Sequence, residues 1–300
     1  MRLRAPDVAI AHVLRDPPYG GSNQFLLALR DELRRRGLRV TDGPVPRRAR
    51  SVLLHSYLVD LRQRPAGRVV HRVDGPIELY RGADDGADRR IVEINDRLAD
   101  ATILQSRYSL EAHRDLGLEL RDPVVIPNAV DPAIFHPPAE REPLAGRRVR
   151  VVATSWSDNP HKGGETYAWL ARTLDRRRYE LTFVGRASVA VEAEHALPPL
   201  ASNELAEVLH RQDLYVTASL NDPCSNALLE ALACGLPTLY ARSGGHPELV
   251  GEAGLGFDGR EELPELLDRL VEELDERRAA IRVPSLADVA DRYLETLGLA

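Results

Sequence analysis

The chain has 300 residues and a mass of 33.3 kDa, and its 43% of hydrophobic residues suffice for one large core or two of ordinary size. With 46 acidic against 40 basic residues its formal net charge is −6, which argues against a nucleic-acid binder that relies on a basic surface. No stretch approaches the ~18 apolar residues of a membrane span, MRLRAPDVAI has no signal-peptide hydrophobic region, and Cys224 and Cys234 are too few for a disulfide framework and lack zinc spacing. A cytoplasmic protein with free thiols is expected, touching a membrane at most peripherally through the Arg runs at 34–36 and 46–50.

Short β-rich runs alternate with longer helical patterns. DVAIAHV (7–13) precedes SNQFLLALRDELRRRG (22–37), where Phe25, Leu29 and Leu33 repeat every four residues and Gly37 stands at the helix C-cap. Further strands are expected at SVLLHS (51–56), RVVHRV (68–73), ATILQS (101–106) and PVVIP (123–127), several apolar enough to be buried on both faces. A turn-rich connector follows, and the alternation restarts with VRVVAT (149–154), YELTFVG (179–185), DLYVTAS (213–219) and PTLYA (237–241). Such alternation predicts two α/β, doubly wound, Rossmann-like domains: 1–130, a linker at 131–146, and 147–283. PSLADVADRYLETLG near the C-terminus gathers Leu286, Val289, Ala290, Tyr293, Leu294 and Leu297 on one face behind Ser285, so 284–300 is an amphipathic helix expected to pack back on the first domain.

Lys162, in NPHKGG, is the only lysine in the chain. Taken alone it is either a leftover of a coding bias toward Arg or a compact point charge beside a Gly pair, suited to a phosphate. Its place after the first strand of the second domain, where ligands of doubly wound folds bind, favours the second reading. In SLNDPCSNALLEALACGLPTLYARSGGHPELV (219–250), Ser225 is a good N-cap, and the amides of Asn226, Ala227 and Leu228 form a ready anion site at the start of a helix closed by Gly235. Glu230 is the odd member of that nearly apolar helix. An exposed position is the ordinary reading for a Glu, but its apolar neighbours favour a polar ligand.

This stretch resembles the retaining glycosyltransferases of family 4, with the GT-B fold. Their pattern of two acids with seven residues between them falls on Asp222, one methylene shorter than the usual Glu, and Glu230; EALACGLP and GGHPE (244–248) continue it. PPYGGSNQF, ADATILQSRYS and IPNAVDPAIFHP extend the resemblance over nearly the whole chain. It implies two domains facing a cleft, a nucleotide-sugar donor, and transfer to a hydroxyl acceptor with retention. That acceptor is a carbohydrate, a lipid-linked intermediate or a small natural product.

By the same resemblance Lys162 binds the donor diphosphate with the amides of 226–228, Glu230 holds ribose hydroxyls, and Asp222 holds the donor sugar. The family's Arg before that Lys is missing; Ser155 and Ser157 stand in the corresponding segment, and hydroxyls such as that of Ser157, or Arg186 from the next strand-end loop, are the candidates to replace it. In the first domain either His71 or Asp74 takes the catalytic position; Asp74 is favoured because Gly-Pro follows it in the turn, and a satisfied strand residue is the alternative for His71. Gly20 and Gly21 allow close backbone approach to donor or acceptor, or simply form a βα turn. His246 and Glu248 are expected to cap the following helix. Asp222 and Glu230 mimic a metal pair, but no third ligand lies near them and the resemblance implies no need of a divalent ion, so neither metal nor other cofactor is expected. The competing readings are a nucleotide-sugar epimerase or phosphorylase on the same scaffold, and a catalytically silent binding partner.

Overall fold

The computed structural model describes residues 5–16, 20–57, 59 and 64–300. The first half of the chain runs β1 (Val8–Ala11), α1 (Gly21–Arg35), β2 (Val40–Asp42), β3 (Arg48–His55), β4 (Ala66–Val73), α2 (Ile77–Arg81), α3 (Ala87–Leu98), β5 (Ala101–Leu104), α4 (Arg107–Asp115) and β6 (Pro123–Val125). The second runs β7 (Val149–Ser155), α5 (Gly164–Thr173), β8 (Tyr179–Gly185), β9 (His195–Leu197), α6 (Ser202–His210), β10 (Leu214–Thr217), α7 (Asn226–Ala233), β11 (Thr238–Ala241), α8 (His246–Val250), β12 (Gly254–Phe257), α9 (Leu263–Glu272), α10 (Leu274–Ala279) and α11 (Leu286–Leu297).

The strands form two six-stranded parallel sheets, ordered β2-β1-β3-β4-β5-β6 and β12-β11-β10-β7-β8-β9. This is the expected α/β, doubly wound, two-domain fold. Strand order reverses at β1, which pairs with both β2 and β3, and at β7, which pairs with both β8 and β10. At such reversals the loops leaving two adjacent strands diverge and open a crevice at the strands' carboxyl ends. The short strands β2, β9 and β12 escaped the sequence reading, because three or four residues carry too little periodicity.

The chain divides into one unit of Met1–Arg15, Ser22–Ala129 and Pro284–Ala300, and a second of Asp16–Gly21 and Val130–Val283. In the first, Val8, Ile10, Phe25, Leu29, Leu53, Val70 and Ile103 share a core with Leu286, Val289, Tyr293 and Leu297 of α11. Backbone contacts secure that helix as well: Ser51 Oγ donates to the Leu297 carbonyl at 2.7 Å and Arg68 Nε to that of Thr296 at 2.6 Å. The second unit is built around Val151, Ala153, Leu181, Leu214, Val216 and Leu239 on one face of its sheet, and Val152, Tyr215, Leu228 and Leu232 on the other. Among the described residues no helix is long and apolar enough to cross a membrane.

Candidate functional site

In the second unit, β7 and β10 are neighbours, so the segments leaving their carboxyl ends meet although 60 residues separate them. After β7, Asn159 caps a single 3-10 turn, Pro160–Lys162, with its side chain accepting from the His161 amide at 2.9 Å. Gly163 then turns the chain into α5 with φ +82°, where a Cβ would lie 2.6 Å from the Ala218 carbonyl oxygen. Only glycine fits a positive φ pressed against a neighbouring backbone. After β10, Asn221 (φ 54°) is pinned by its amide to Ser243 Oγ at 2.9 Å, and the Asp222 carbonyl accepts from Gly245 at 2.8 Å.

The two loops bring Lys162 Nζ within 2.7 Å of Asp222 Oδ2. Burial by itself would push the Asp222 carboxyl up, but Lys162, with help from His246 and the Cys224 amide, more than offsets it and holds the group below its ordinary value. The chain's one lysine is thus paired with a carboxylate held in its charged form, in the loops that leave β7 and β10.

α7 starts four residues beyond Asp222. Ser225 is its N-cap, accepting from the Leu228 amide at 3.4 Å. This corrects the sequence expectation for Leu228: the cap side chain takes one of the orphan amides, so three are not open to a ligand. The Asn226 side chain donates to the Gly21 carbonyl, and a Cβ on Gly21 would come within 2.8 Å of that amide. Gly20 packs beside the Trp156 ring.

Glu230, one turn into α7, is buried at 8% exposure, and its carboxyl makes no hydrogen bond or ion pair among the described residues. Burial alone raises its pKa to about 8. His246 does not cap α8. Fully buried, it bridges Ser219 Oγ (3.1 Å) and the Ala241 carbonyl (3.1 Å), tying the ends of β10 and β11 together, because its ring points back into the sheet.

Ser157 Oγ accepts from the Asn159 amide at 3.1 Å, so it shapes the loop that presents Lys162. Arg186 leaves the end of β8 beside it: its amide donates to the Ser155 carbonyl at 2.8 Å, its guanidinium to the Trp156 carbonyl at 3.1 Å, and it lies over the Trp156 ring at 5.5 Å. Glu180, Glu194 and His195 lie close enough together to share an ion, but Arg148 already donates to both carboxylates at 2.8 Å.

In the first unit the strand ends assemble a second polar group. Successive strand residues point to opposite faces, which separates the two candidates there. His71 is fully buried between the Ser56 carbonyl (2.9 Å) and the Asn95 amide (3.3 Å), and burial pulls it down to about 4. Asp74 keeps a quarter of its side-chain surface exposed; it is paired with Arg72 at 2.9 Å, accepts from Gln105, and has Ser22 Oγ at 3.4 Å. Sequence reasoning missed Arg72, His55, Gln105 and Asn128, whose only signal was a polar residue at or just past the end of each predicted strand.

Residues 162–275 match the family model described as Glycosyl transferases group 1. Over 275 aligned positions the chain is 27% identical to D-inositol 3-phosphate glycosyltransferase of Rhodococcus opacus (strain B4), a match covering 87% of this chain and 55% of that protein. The chain thus spans about half the length of the curated relatives it matches. Sucrose-phosphate synthase from Thermosynechococcus elongatus superposes with a TM-score of 0.76 at 17% identity, covering 97% of this chain and 98% of that one. Anabaena HepE, solved in complex with UDP and glucose, gives 0.72 at 16%, covering 98% and 100%. At these identities the structural likeness is one of fold. The family-model match thus lies in the second unit, and the structural matches share the chain's two-domain α/β fold.

Proposed function

We propose that the chain transfers a sugar from a nucleotide-sugar to an acceptor hydroxyl, with retention at the anomeric carbon. The observation that carries this reading is Glu230, a buried carboxyl with no hydrogen-bonding partner among the described residues. Burial holds this carboxyl protonated near neutral pH, and the two hydroxyls of a ribose would supply the donors that favour its ionised form, since a carboxylate can accept both. Lys162 and the helix amides at Asn226 and Ala227 then meet the diphosphate, and Asp222, released from Lys162 in part, meets the hydroxyls of the sugar. In the reaction the bond from the anomeric carbon to the diphosphate oxygen breaks. The acceptor oxygen bonds to that carbon on the same face, and the acceptor proton passes to the leaving diphosphate. Charge grows on the phosphate oxygens, so the preorganised cation and amides stabilise the transition state more than the ground state.

Lys162 and the helix N-terminus supply counter-charge without a divalent ion, and chelator should leave donor binding unchanged. The acceptor is a carbohydrate, a lipid-linked intermediate or a small natural product. Calorimetric titration of UDP, GDP, UDP-glucose and GDP-mannose into the native protein and Lys162→Ala tests the reading. Micromolar binding of one nucleotide that the variant loses, with a cost of about 2–4 kcal/mol in transition-state stabilisation when turnover is followed, supports it. If no nucleotide binds to the native protein, the transferase reading falls and a silent binding partner takes its place.

A further inference from the structure

Arg72 is fully buried at the end of β4, an unusual place for a guanidinium. Its plane is fixed on several sides: Nη1 reaches His55 Nδ1 at 3.1 Å and Asp74 Oδ1 at 2.9 Å, Nη2 donates to Asn128 Oδ1 at 2.9 Å, and the group lies over the Phe25 ring at 5.1 Å. The bracing continues outward. Asn128 donates to Gln105 Oε1 at 3.3 Å, Gln105 donates to Asp74, and the His12 ring meets His55 edge-on at 5.1 Å. These residues come from the ends of β1, β3, β4, β5 and β6, the edge of a parallel sheet where ligands bind. In this buried network Asp74 is the member with a quarter of its side chain exposed, and hence the one whose charge a ligand can reach.

We infer that Arg72 is a positioning residue: braced by His55 and Asn128, it fixes the Asp74 carboxylate as an oriented hydrogen-bond acceptor for the incoming acceptor hydroxyl. The inference rests on the transferase reading and assigns Asp74 a task within it, orienting the acceptor hydroxyl. Burial opposes ionisation of Asp74, and Arg72, with help from His55 and the Gln105 hydrogen bond, more than offsets it, leaving the carboxyl below its ordinary value. The other titratable groups facing it are His12 after β1, His55 of β3, His71 of β4 and His113 of α4, all shifted down by burial and hence neutral near pH 7. Arg72 is thus the full positive charge beside Asp74 at that pH. A buried cation held less closely compensates its partner anion less well, so the carboxyl should titrate higher when the clamp is loosened.

Water, the smallest hydroxyl acceptor, provides the assay. Nucleoside diphosphate release from UDP-glucose and from GDP-mannose, without added acceptor, is followed from pH 4 to 8 for the native protein, Arg72→Lys and Asn128→Ala. In parallel, carbon-13 NMR of labelled aspartate, assigned with Asp74→Asn, follows the Asp74 carboxyl. Asn128→Ala keeps Arg72 but loosens its brace, so it remains informative if Arg72→Lys does not fold. The expected result is a kcat about tenfold lower with unchanged KM for the donor, corresponding to one misplaced hydrogen bond, and an Asp74 titration and acid limb moved upward together. Native kcat and an unmoved Asp74 titration in the folded variants would overturn the inference while leaving the transferase reading intact. A native protein that neither binds nor turns over these nucleotides would overturn both.

Discussion

Glu230 shows how one buried carboxyl can cost stability. Its folded-state pKa of about 8 lies above the value of 4.5 for an exposed Glu. Below pH 4.5 both folded and unfolded chains carry the proton, and no penalty exists; as pH rises through 8 the unfolded chain ionises first and stability is lost. At about 1.4 kcal/mol per unit the full penalty is about 5 kcal/mol, and a buried amide in its place costs about 1–3 kcal/mol. Glu230→Gln should therefore be more stable than the parent by about 2–4 kcal/mol at pH 9, with the gap closing toward pH 5. Urea melts at both pH values check this; a gap that does not change with pH would mean that the carboxyl is solvated in the native state. The oddity of Glu230 was legible from its apolar neighbours in sequence. The pairing of Lys162 with Asp222 was not, because nothing local links positions 60 residues apart.

At the scale of elements, the turn between β7 and α5 is the piece on which the site depends. Gly163 (φ +82°) and Gly37 (φ +85°) share a left-handed backbone, but a Cβ at 163 meets Ala218 at 2.6 Å while nothing lies within 4 Å of one at 37. Gly37→Ala should cost about 1 kcal/mol, the conformational term alone, and Gly163→Ala about 2–4 kcal/mol, strain and overlap together. Denaturant melts compare the two directly. Only the second should also abolish nucleotide binding, since it displaces the turn carrying Lys162; equal costs at the two positions would show that the turn yields freely. Helices α1, α7 and α11 were readable because each combines a cap with a long periodic face. Strands β2, β9 and β12 were not, since their three or four residues are strands only by pairing with an edge already formed.

At the scale of the molecule, the chain builds its first unit from both ends. Helix α11 buries Leu286, Val289, Ala290, Tyr293, Leu294 and Leu297, and Tyr293 packs against Phe25 with ring centroids 5.7 Å apart. At about 1.5–3 kcal/mol for each large side chain, their loss approaches the whole stability of a domain, about 5–15 kcal/mol. A chain ending at residue 283 should therefore lose amide-exchange protection throughout β1 to β6 while retaining it in β7, β8, β10 and β11. Hydrogen exchange resolved by mass spectrometry distinguishes this from uniform loss, which would deny the second unit stability of its own.

By itself the sequence determined what depends on near neighbours and composition: the alternation of strand and helix that selects parallel sheets, the Ser225 cap, and the isolation of Lys162 and Glu230 among residues unlike them. Only the tertiary structure decided which strand ends adjoin. Parallel strands are joined by crossovers, so β7 lies beside β10, and β1 beside β3, through hydrogen bonds that no local pattern encodes. That adjacency placed Asp222 on Lys162, turned His71 inward, and gathered Arg72, His55 and Asn128 behind Asp74.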